Sequence, residues 1–319
     1  MVFSGTYLEA INLALHDAME ADARVFCLGE DVGAYGGAFQ ATAGLFERFG
    51  AGRMIDTPIA EQAIAGSAIG AALMGQRPVA EFQFMDFALL ASDLICNFAA
   101  MTSWRWGQPC PVVFRGPAGA GVSGGPYHSQ NPEHHFLGSP GLKVVAPGTV
   151  KDAYALLRAS IEDPDPVLFF EHKYLYRRLK DSWETAPMAR LGEAAIRKDG
   201  AQAAILTYGA MQHRALEAVA DLDVAVMDLR TLAPLDLQAI EAIAKRTHRI
   251  LVLTEAQRTY GPGTEIAAHV SELCFPWLDA PVMRLGSADT PTPAAPGLEA
   301  EFLPSIEKIR ATVGTLMAY

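Results

Sequence analysis

Short apolar runs alternate with helix-like segments along almost the whole chain, and this alternation restricts the possible folds more than any other feature. In the first half the apolar runs are residues 25–28, 78–84, 111–114, 142–145 and 166–170. Polar residues rarely interrupt these runs, which is typical of parallel strands that are covered on both faces of a sheet. The sequence therefore predicts an α/β fold with doubly wound sheets.

The helical patterns between these runs predict helices at residues 7–19, 59–74, 87–101 and 150–160. A charged, irregular passage follows, and we predict a linker there. The second half predicts strands at 203–208, 224–228 and 250–254 and a last helix near 304–316. A chain of 319 residues can form two domains with cores of their own. The predicted division is a first domain at 1–178, a linker at 179–200 and a second domain at 201–319.

Composition excludes several classes of function. The chain is 50% hydrophobic and 19% charged, which is typical of a globular protein. Its net charge of −11 argues against a partner surface of nucleic acid or anionic membrane. The four cysteines stand far apart without a CxxC pair, which favours a reducing compartment. Because we find neither the order of a signal peptide nor an apolar stretch of membrane-spanning length, we expect a cytoplasmic protein.

One acidic residue, Glu61, lies in a segment at 56–72 that consists mainly of small and apolar residues. Thr57 and Pro58 are typical of a helix start, as N-cap and first helical residue. The following helix has too little charge to face water, and a carboxylate within it must meet a partner or lose its charge. Glu61 is therefore the first candidate for chemistry. The alternative is that it only complements the helix dipole in the first turn.

A glycine-rich segment follows the predicted strand at 111–114. Gly119, Gly121 and Gly124 match the GxGxxG spacing of dinucleotide-binding loops. That interpretation is weak, because no helix opens at Gly124 and the next strand does not end in an acid. We expect instead a mobile arm that carries His128, whose side chain can exchange protons near neutral pH. From its position alone, anchoring the loop is the simpler interpretation of His128.

Seven short motifs then follow one another in a specific order and spacing. They are GEDV at 29–32, DTPIAEQ at 56–62, AEFQFMDF at 80–87, YHSQNPE at 127–133, GLKVV at 141–145, FFEHK with LYR at 169–177, and DLRTL at 228–232. The sequence resembles, essentially end to end, the beta subunit of the thiamine-diphosphate-dependent 2-oxoacid dehydrogenases. The resemblance implies a transketolase-like pyrimidine-binding domain followed by a transketolase C-terminal-like domain.

The resemblance gives the residues around Glu61 specific roles. It implies that the Glu61 carboxyl hydrogen-bonds a pyrimidine-ring nitrogen of thiamine diphosphate and favours the imino tautomer that activates the cofactor. The backbone at Ile59, the side chain of Gln83 and the ring of Phe87 are implied to line the pyrimidine pocket, with Glu30 near the same network. Alternatively, Phe87 is a core aromatic, Gln83 a hydrogen bonder at a strand end, and Glu30 a loop acid.

Many members of this family hold a potassium ion that braces the beta subunit. The matching ligands here are Ser160, Asp163 and Asp165, with carbonyl oxygens near Val112 and Val113. Oxygen ligands of this kind suit a hard cation. Relatives usually have Asn at the position of Asp165, and a solvated acidic turn is the alternative interpretation.

The resemblance also implies partners. His128 matches the histidine that steers the substrate carboxylate and moves protons during acyl transfer to a lipoyl group. Asp289 matches a segment through which some relatives bind the dihydrolipoyl acyltransferase core, although it could equally be an acid in a surface turn. The Gly-Asp-Gly…Asn motif that holds the diphosphate through Mg²⁺ is absent from this sequence. An alpha subunit is therefore implied to hold Mg²⁺, in a heterotetramer of two alpha and two beta chains.

The motif GGAFQ at 36–40, together with those at 80–87 and 127–133, favours the branched-chain 2-oxoacid dehydrogenases. The alternatives are a pyruvate or acetoin dehydrogenase beta subunit and, from another class, a non-catalytic scaffold for complex assembly. The missing diphosphate motif opposes a stand-alone transketolase-like enzyme.

Overall fold

The structure, a computed structural model, describes residues 2–185 and 189–319. The chain forms two compact units. One consists of Met1–Ala118 and His135–Leu191, and the other of Gly119–His134 and Gly192–Tyr319. The predicted linker at 179–200 lies partly outside the described residues, and its described part contains strands on both sides. The predicted first domain includes Gly119–His134, whereas the structure packs that segment with the second unit.

The first half of the chain builds a parallel sheet with helices between its strands. Its elements are β1 (Val2–Thr6), α1 (Tyr7–Ala21), β2 (Val25–Gly29), α2 (Leu45–Phe49), β3 (Met54–Asp56), α3 (Glu61–Leu73), β4 (Arg77–Glu81), α4 (Thr102–Trp106), β5 (Val113–Ala118), α5 (His134–Leu137), β6 (Lys143–Val145), α6 (Val150–Glu162), β7 (Val167–His172) and β8 (Lys180–Glu184). Six strands lie parallel in the order β6, β7, β5, β4, β2, β3. Strands β1 and β8 form a separate antiparallel pair.

Local sequence explains where the long helices of this unit begin. Helix α1 starts with a capping box, in which Thr6 Oγ1 accepts from the Glu9 N–H at 3.2 Å and Glu9 Oε2 accepts from the Thr6 N–H at 2.6 Å. Helix α6 starts where Thr149 Oγ1 accepts from the Asp152 N–H at 3.0 Å. Both helices were predicted from the sequence to within two residues at each end.

The predicted start of the third helix is wrong. Helix α3 begins at Glu61, Ala60 occupies the N-cap, and no side chain caps it. Thr57 and Pro58 were expected to open the helix, but the Thr57 N–H donates to the Gly29 carbonyl oxygen at 2.9 Å. The backbone at Thr57 therefore remains extended beside β2, beyond the end of β3. The helix can begin only at a later residue of the chain.

The predicted helix at 87–101 is also replaced by shorter pieces. A 3₁₀-helix spans Met85–Ala91, a π-helix spans Leu94–Ala99, and α4 follows. Met85, Ala88 and Ala91 are buried and spaced by three residues, so 3₁₀ winding places them on one face. No single helix in 2–185 or 189–319 is long and apolar enough to cross a membrane. Two helical segments joined by a bend, Met85–Ala91 and Leu94–Trp106, are together long and apolar enough, by length and composition only.

The second half builds another, mostly parallel sheet. The elements of this half of the chain are β9 (Ala195–Lys198), β10 (Ala203–Thr207), α7 (Met211–Ala218), β11 (Val224–Asp228), β12 (Thr231–Ala233), α8 (Leu237–Thr247), β13 (Ile250–Gln257), α9 (Pro262–Cys274), β14 (Met283–Ser287), α10 (Pro296–Phe302) and α11 (Ile306–Met317). The strand order is β14, β13, β10, β11, β9, with β9 antiparallel at the edge. Ile205, Val226 and Leu253 pack with helices α7 and α11 in the core. Both halves therefore agree with the predicted α/β class.

Candidate active site

Two buried carboxylates, Glu30 and Glu61, lie at the carboxyl edge of the first sheet. Glu30 follows β2 directly, and Glu61 is the first residue of α3. Their exposed fractions are 5% and 8%. Glu30 Oε1 has no hydrogen-bond partner in the described structure. Burial raises the pKa of Glu30, and the charge of Glu61 raises it further. The two carboxyls are therefore electrostatically coupled, and Glu30 holds its proton more readily than an exposed carboxyl does.

The helix that carries Glu61 has two different faces. Ile64, Ala68 and Ala72 are buried, and α3 packs against β4. The opposite face is exposed and has no charged residue; it consists of Gln62, Ala63, Ser67 and Gly70. We call these four residues the small-residue face. Apart from Gln62, this face consists of small residues, and without charges it permits close approach of another backbone.

The other residues predicted for the pyrimidine pocket lie in segments that flank Glu30 and Glu61. Gln83 and Phe87 follow β4, and both are half-buried. Strand β4 is the neighbour of β2, with Glu81 opposite Gly29. The Phe87 ring meets the Phe84 ring edge to face, with the ring centroids 6.3 Å apart. Ile59 is 80% exposed and stands two residues before Glu61.

A buried charge cluster, which the sequence analysis missed, joins three strands of the same sheet. It consists of Arg115 on β5, Glu81 at the end of β4, Glu171 on β7, and Tyr176. Arg115 is 1% exposed and donates to both carboxylates, with Nη2 to Glu171 Oε2 at 2.7 Å. The Tyr176 hydroxyl donates to the same oxygen at 2.6 Å. The available signal was a charged residue within one apolar run, Glu81 in 78–84, and directly after two others, Arg115 after 111–114 and Glu171 after 166–170.

Burial and charge oppose each other in this cluster. Burial lowers the pKa of Arg115, but the charges of Glu171 and Glu81 outweigh it and hold that pKa well above its usual range. Burial raises the pKa of Glu81 despite the nearby guanidinium group. The positive charge of Arg115 therefore compensates the burial of the Glu81 and Glu171 carboxylates. Gln83 follows Glu81 by two residues at the same edge of the sheet.

His128 lies in Gly119–His134, within the second unit. Its side chain is half-buried, and the neighbouring Tyr127 is 71% exposed. The arm that was expected to be mobile is held at its base, because the Gly119 N–H donates to the Gln130 carbonyl oxygen at 2.9 Å. The sequence analysis did not anticipate the acidic residues that hold this segment from distant parts of the chain.

The acidic turn predicted to bind potassium has another cation close by. Lys143 Nζ lies 2.6 and 2.7 Å from the two Asp163 carboxylate oxygens and 3.1 Å from Asp165 Oδ2. Within 2–185 and 189–319 there is no group of three or more His, Cys, Asp or Glu side chains that could hold a metal ion. Lys143 would therefore compete with a cation for these carboxylate oxygens, and the potassium site stays a prediction.

Two of the remaining predicted potassium ligands, Ser160 and Val112, also have partners within the chain. The Ser160 hydroxyl donates to the Leu156 carbonyl oxygen at 2.7 Å. The Val112 carbonyl oxygen accepts from the Val167 N–H at 2.9 Å, and Val113 begins β5. An ion here would have to share the Ser160 and Val112 oxygen atoms with these hydrogen bonds of the fold.

Asp289 lies in an exposed turn after β14. Its carboxylate accepts from the Thr259 hydroxyl at 2.6 Å and from the Thr259 N–H at 2.9 Å. These hydrogen bonds, the side-chain one first, hold the pKa of Asp289 below its usual value. The residue therefore stays ionised near neutral pH and braces the turn that follows β13.

Comparison with known proteins identifies the family. The family described as "Transketolase, pyrimidine binding domain" matches residues 4–178, and "Transketolase, C-terminal domain" matches residues 192–309. The chain is 45% identical to the 2-oxoisovalerate dehydrogenase subunit beta of Bacillus subtilis (strain 168), with 98% of this chain and 99% of the relative covered. It is 42% identical to the pyruvate dehydrogenase E1 component subunit beta of Porphyra purpurea, with 91% and 90% covered.

A solved structure described as "Split gene transketolase, inactive beta4 tetramer" matches with a TM-score of 0.78 over 98% of both chains. Its sequence identity is 20%, so this likeness supports the fold alone. The predicted transketolase-like two-domain fold is thereby confirmed. With two matching family domains and relatives above 40% identity along nearly the whole chain, the protein belongs to the beta subunits of the 2-oxoacid dehydrogenases, a family with both branched-chain and pyruvate types.

Proposed function

We propose that this beta subunit, together with an alpha subunit and thiamine diphosphate, carries out the oxidative decarboxylation of branched-chain 2-oxoacids and transfers the acyl group to lipoyl groups. The observation that carries the chemistry is the coupled pair Glu30 and Glu61, buried at one sheet edge with one oxygen lacking a partner. The branched-chain preference is supported by the 45% identity to a 2-oxoisovalerate dehydrogenase subunit beta.

The site residues suit a polar heteroaromatic ring. When bound, thiamine diphosphate supplies the electron sink for loss of carbon dioxide from a 2-oxoacid. Glu61 would hydrogen-bond a ring nitrogen through its carboxyl group. Glu30, whose pKa is raised by burial and by the charge of Glu61, would keep a proton beside it. Gln83 would donate a hydrogen bond, and the Phe87 ring would cover an aromatic face.

His128 would act on the substrate rather than on the ring. Its imidazole can pair with the carboxylate of a 2-oxoacid when protonated, and it can deliver a proton when a lipoyl sulfur is acylated. This assignment depends on the family match of the motif at 127–133, because the side chain alone is equally suited to loop anchoring.

An alpha subunit is required by what this chain lacks. The sequence contains no Gly-Asp-Gly…Asn motif, so Mg²⁺ and the diphosphate would be held mainly by the partner. The small-residue face of α3 suits close packing of another chain beside Glu61. We propose a heterotetramer of two alpha and two beta chains, with each active site completed between them.

Reconstitution tests the function directly. We expect the purified chain alone to show no decarboxylation and the chain with its alpha subunit to decarboxylate 2-oxoisovalerate, measured with thiamine diphosphate, Mg²⁺ and an artificial electron acceptor. We expect kcat/KM for 2-oxoisovalerate to exceed that for pyruvate. A higher kcat/KM for pyruvate would support the pyruvate dehydrogenase alternative. Activity without an alpha subunit would contradict the shared site.

Asp289 is proposed to contribute to binding of the dihydrolipoyl acyltransferase core, through an ion pair with a Lys or Arg of that partner. We expect Asp289→Asn to weaken binding by a few-fold and to reduce its salt dependence, because an exposed charge acts mainly through screened attraction. Surface plasmon resonance at two salt concentrations measures both effects. Thr259→Val is the control, since it removes one internal hydrogen bond but keeps the charge. Equal weakening by both variants would show that turn geometry, and not the ion pair, matters.

A further inference from the structure

The segment that carries His128 folds tightly back on itself. Gly125 has a φ of +73°, a conformation that suits glycine. A Cβ at Gly124 would lie 2.6 Å from Ser129 Oγ and 3.0 Å from the His128 carbonyl oxygen. The backbone before His128 therefore packs directly against the backbone at His128. A shift of the backbone at Gly124 would therefore press on His128.

Glu299 holds the first half of the segment. It lies on α10 and is 4% exposed. Its Oε1 accepts from the Gly121 N–H at 2.9 Å, and its Oε2 accepts from the Ser123 N–H at 3.0 Å. Both donor residues have positive φ, 89° at Gly121 and 59° at Ser123. This backbone turns its N–H groups towards one point, as in the concave anion sites of proteins, and the chain's own carboxylate fills it.

Glu255 holds the two ends of the segment together. It lies on β13 and is 4% exposed. Its Oε1 accepts from the Ala120 N–H at 2.7 Å and from Asn131 Nδ2 at 3.2 Å. The backbone hydrogen bond from Gly119 to Gln130 lies beside these contacts. One buried oxygen thus receives donors from before and after His128.

We propose that Glu299 and Glu255 are positioning residues that hold the His128 imidazole in its working orientation. The proposal rests on the role proposed above for His128. Both acids would act on His128 through the segments that precede and follow it. A displacement of about 1 Å at a reacting group can reduce a rate by about 100-fold. Hydrogen bonds with α10 and β13 that fix this backbone would therefore keep the His128 proton donor in place, although it is carried on a loop.

Glu299→Gln tests the proposal in the reconstituted enzyme. The amide keeps one acceptor oxygen but turns its NH₂ group towards the other N–H donor, so one of the two contacts is lost with little change in shape. We expect kcat/KM for the 2-oxoacid to fall by about 10- to 100-fold. We also expect faster hydrogen exchange at the amides of Gly121 and Ser123. Glu301→Gln is the matched control, because Glu301 belongs to the same helix and its side chain is 82% exposed.

A double-mutant cycle with His128→Asn shows whether Glu299 acts through His128. We expect Glu299→Gln to cause no further loss when His128 is already Asn. An additive loss, or unchanged exchange at the two amides, would overturn the positioning role. Full activity of His128→Asn alone would instead refute the role proposed for His128, while the exchange measurement still reports on the anchor.

Gly124→Ala provides an independent route if the Glu299 variant does not assemble. The added Cβ would press on the His128 carbonyl oxygen. The substitution leaves the Glu299 side chain itself unchanged. We expect a comparable loss of kcat/KM and the same lack of a further effect in the His128→Asn background. Wild-type activity of Gly124→Ala would show that the imidazole does not depend on this backbone geometry.

Discussion

Glu61→Gln is expected to abolish most of the activity of the reconstituted enzyme, with kcat reduced by about 10²- to 10⁴-fold. The amide can still form a hydrogen bond in the same place, so the bound ligands should be retained and KM should change little. It cannot donate and accept a proton as a carboxyl does, and Glu30 would lose the acid with which it is coupled. Steady-state kinetics with 2-oxoisovalerate and an artificial electron acceptor measures the effect.

The control must remove a carboxylate from a first helical turn without touching the site. Glu265→Gln does so, because Glu265 lies in the first turn of α9 and its side chain is 73% exposed. Both variants lose the same favourable interaction with a helix dipole, about 0.3–1 kcal/mol. If Glu61→Gln resembled Glu265→Gln in activity, Glu61 would be a helix-terminal acid only.

Arg115→Met is expected to cause the largest loss of stability, about 3–5 kcal/mol in the free energy of unfolding. Methionine occupies a similar volume but leaves Glu81 and Glu171 buried without the positive charge that compensates them. The midpoint of urea unfolding of the reconstituted enzyme measures the change. Arg246→Met is the control, because the Arg246–Asp199 ion pair is largely exposed and should contribute less than about 1 kcal/mol.

The loss should also depend on pH. Burial raises the pKa of Glu81 above 4.5 in the folded chain. A carboxyl with a raised folded pKa stabilises the fold at acidic pH and loses that contribution as the pH rises through the folded pKa. Without Arg115 the folded pKa rises further. We therefore expect the deficit of Arg115→Met to be smaller at about pH 5 than at about pH 8, and an equal deficit at both would contradict the buried-charge explanation.

Sequence patterns were sufficient where a local signal and the tertiary structure agree. The strands at 203–208 and 224–228 followed from mainly apolar runs, and Glu61 was noticed because one acid lies among small and apolar side chains. The start of α3 was predicted wrongly, because the hydrogen bond from Thr57 to Gly29 keeps the chain extended. No helix-capping rule contains information about that neighbouring strand.

The anchors of the His128 segment could not be found in this way. Glu299 is 176 residues from Ser123 and 178 from Gly121, and in the sequence it is one of two acids in a short segment for which no helix was predicted. Its significance depends on its burial and on the direction of two distant N–H groups. The roles of Glu61, Glu30, Gln83, Phe87 and His128 in catalysis remain predictions to be tested by the variants above.

The small-residue face of α3 has a consequence for the life of the protein in a cell. The face carries no charge, and the apolar side chain of Ile59 beside it is 80% exposed, so a copy without its partner can adhere unspecifically. Copies synthesised in excess over the complementary subunit should precipitate or be degraded. We therefore expect the cell to need balanced expression of the two polypeptides, because of the surface of this one helix.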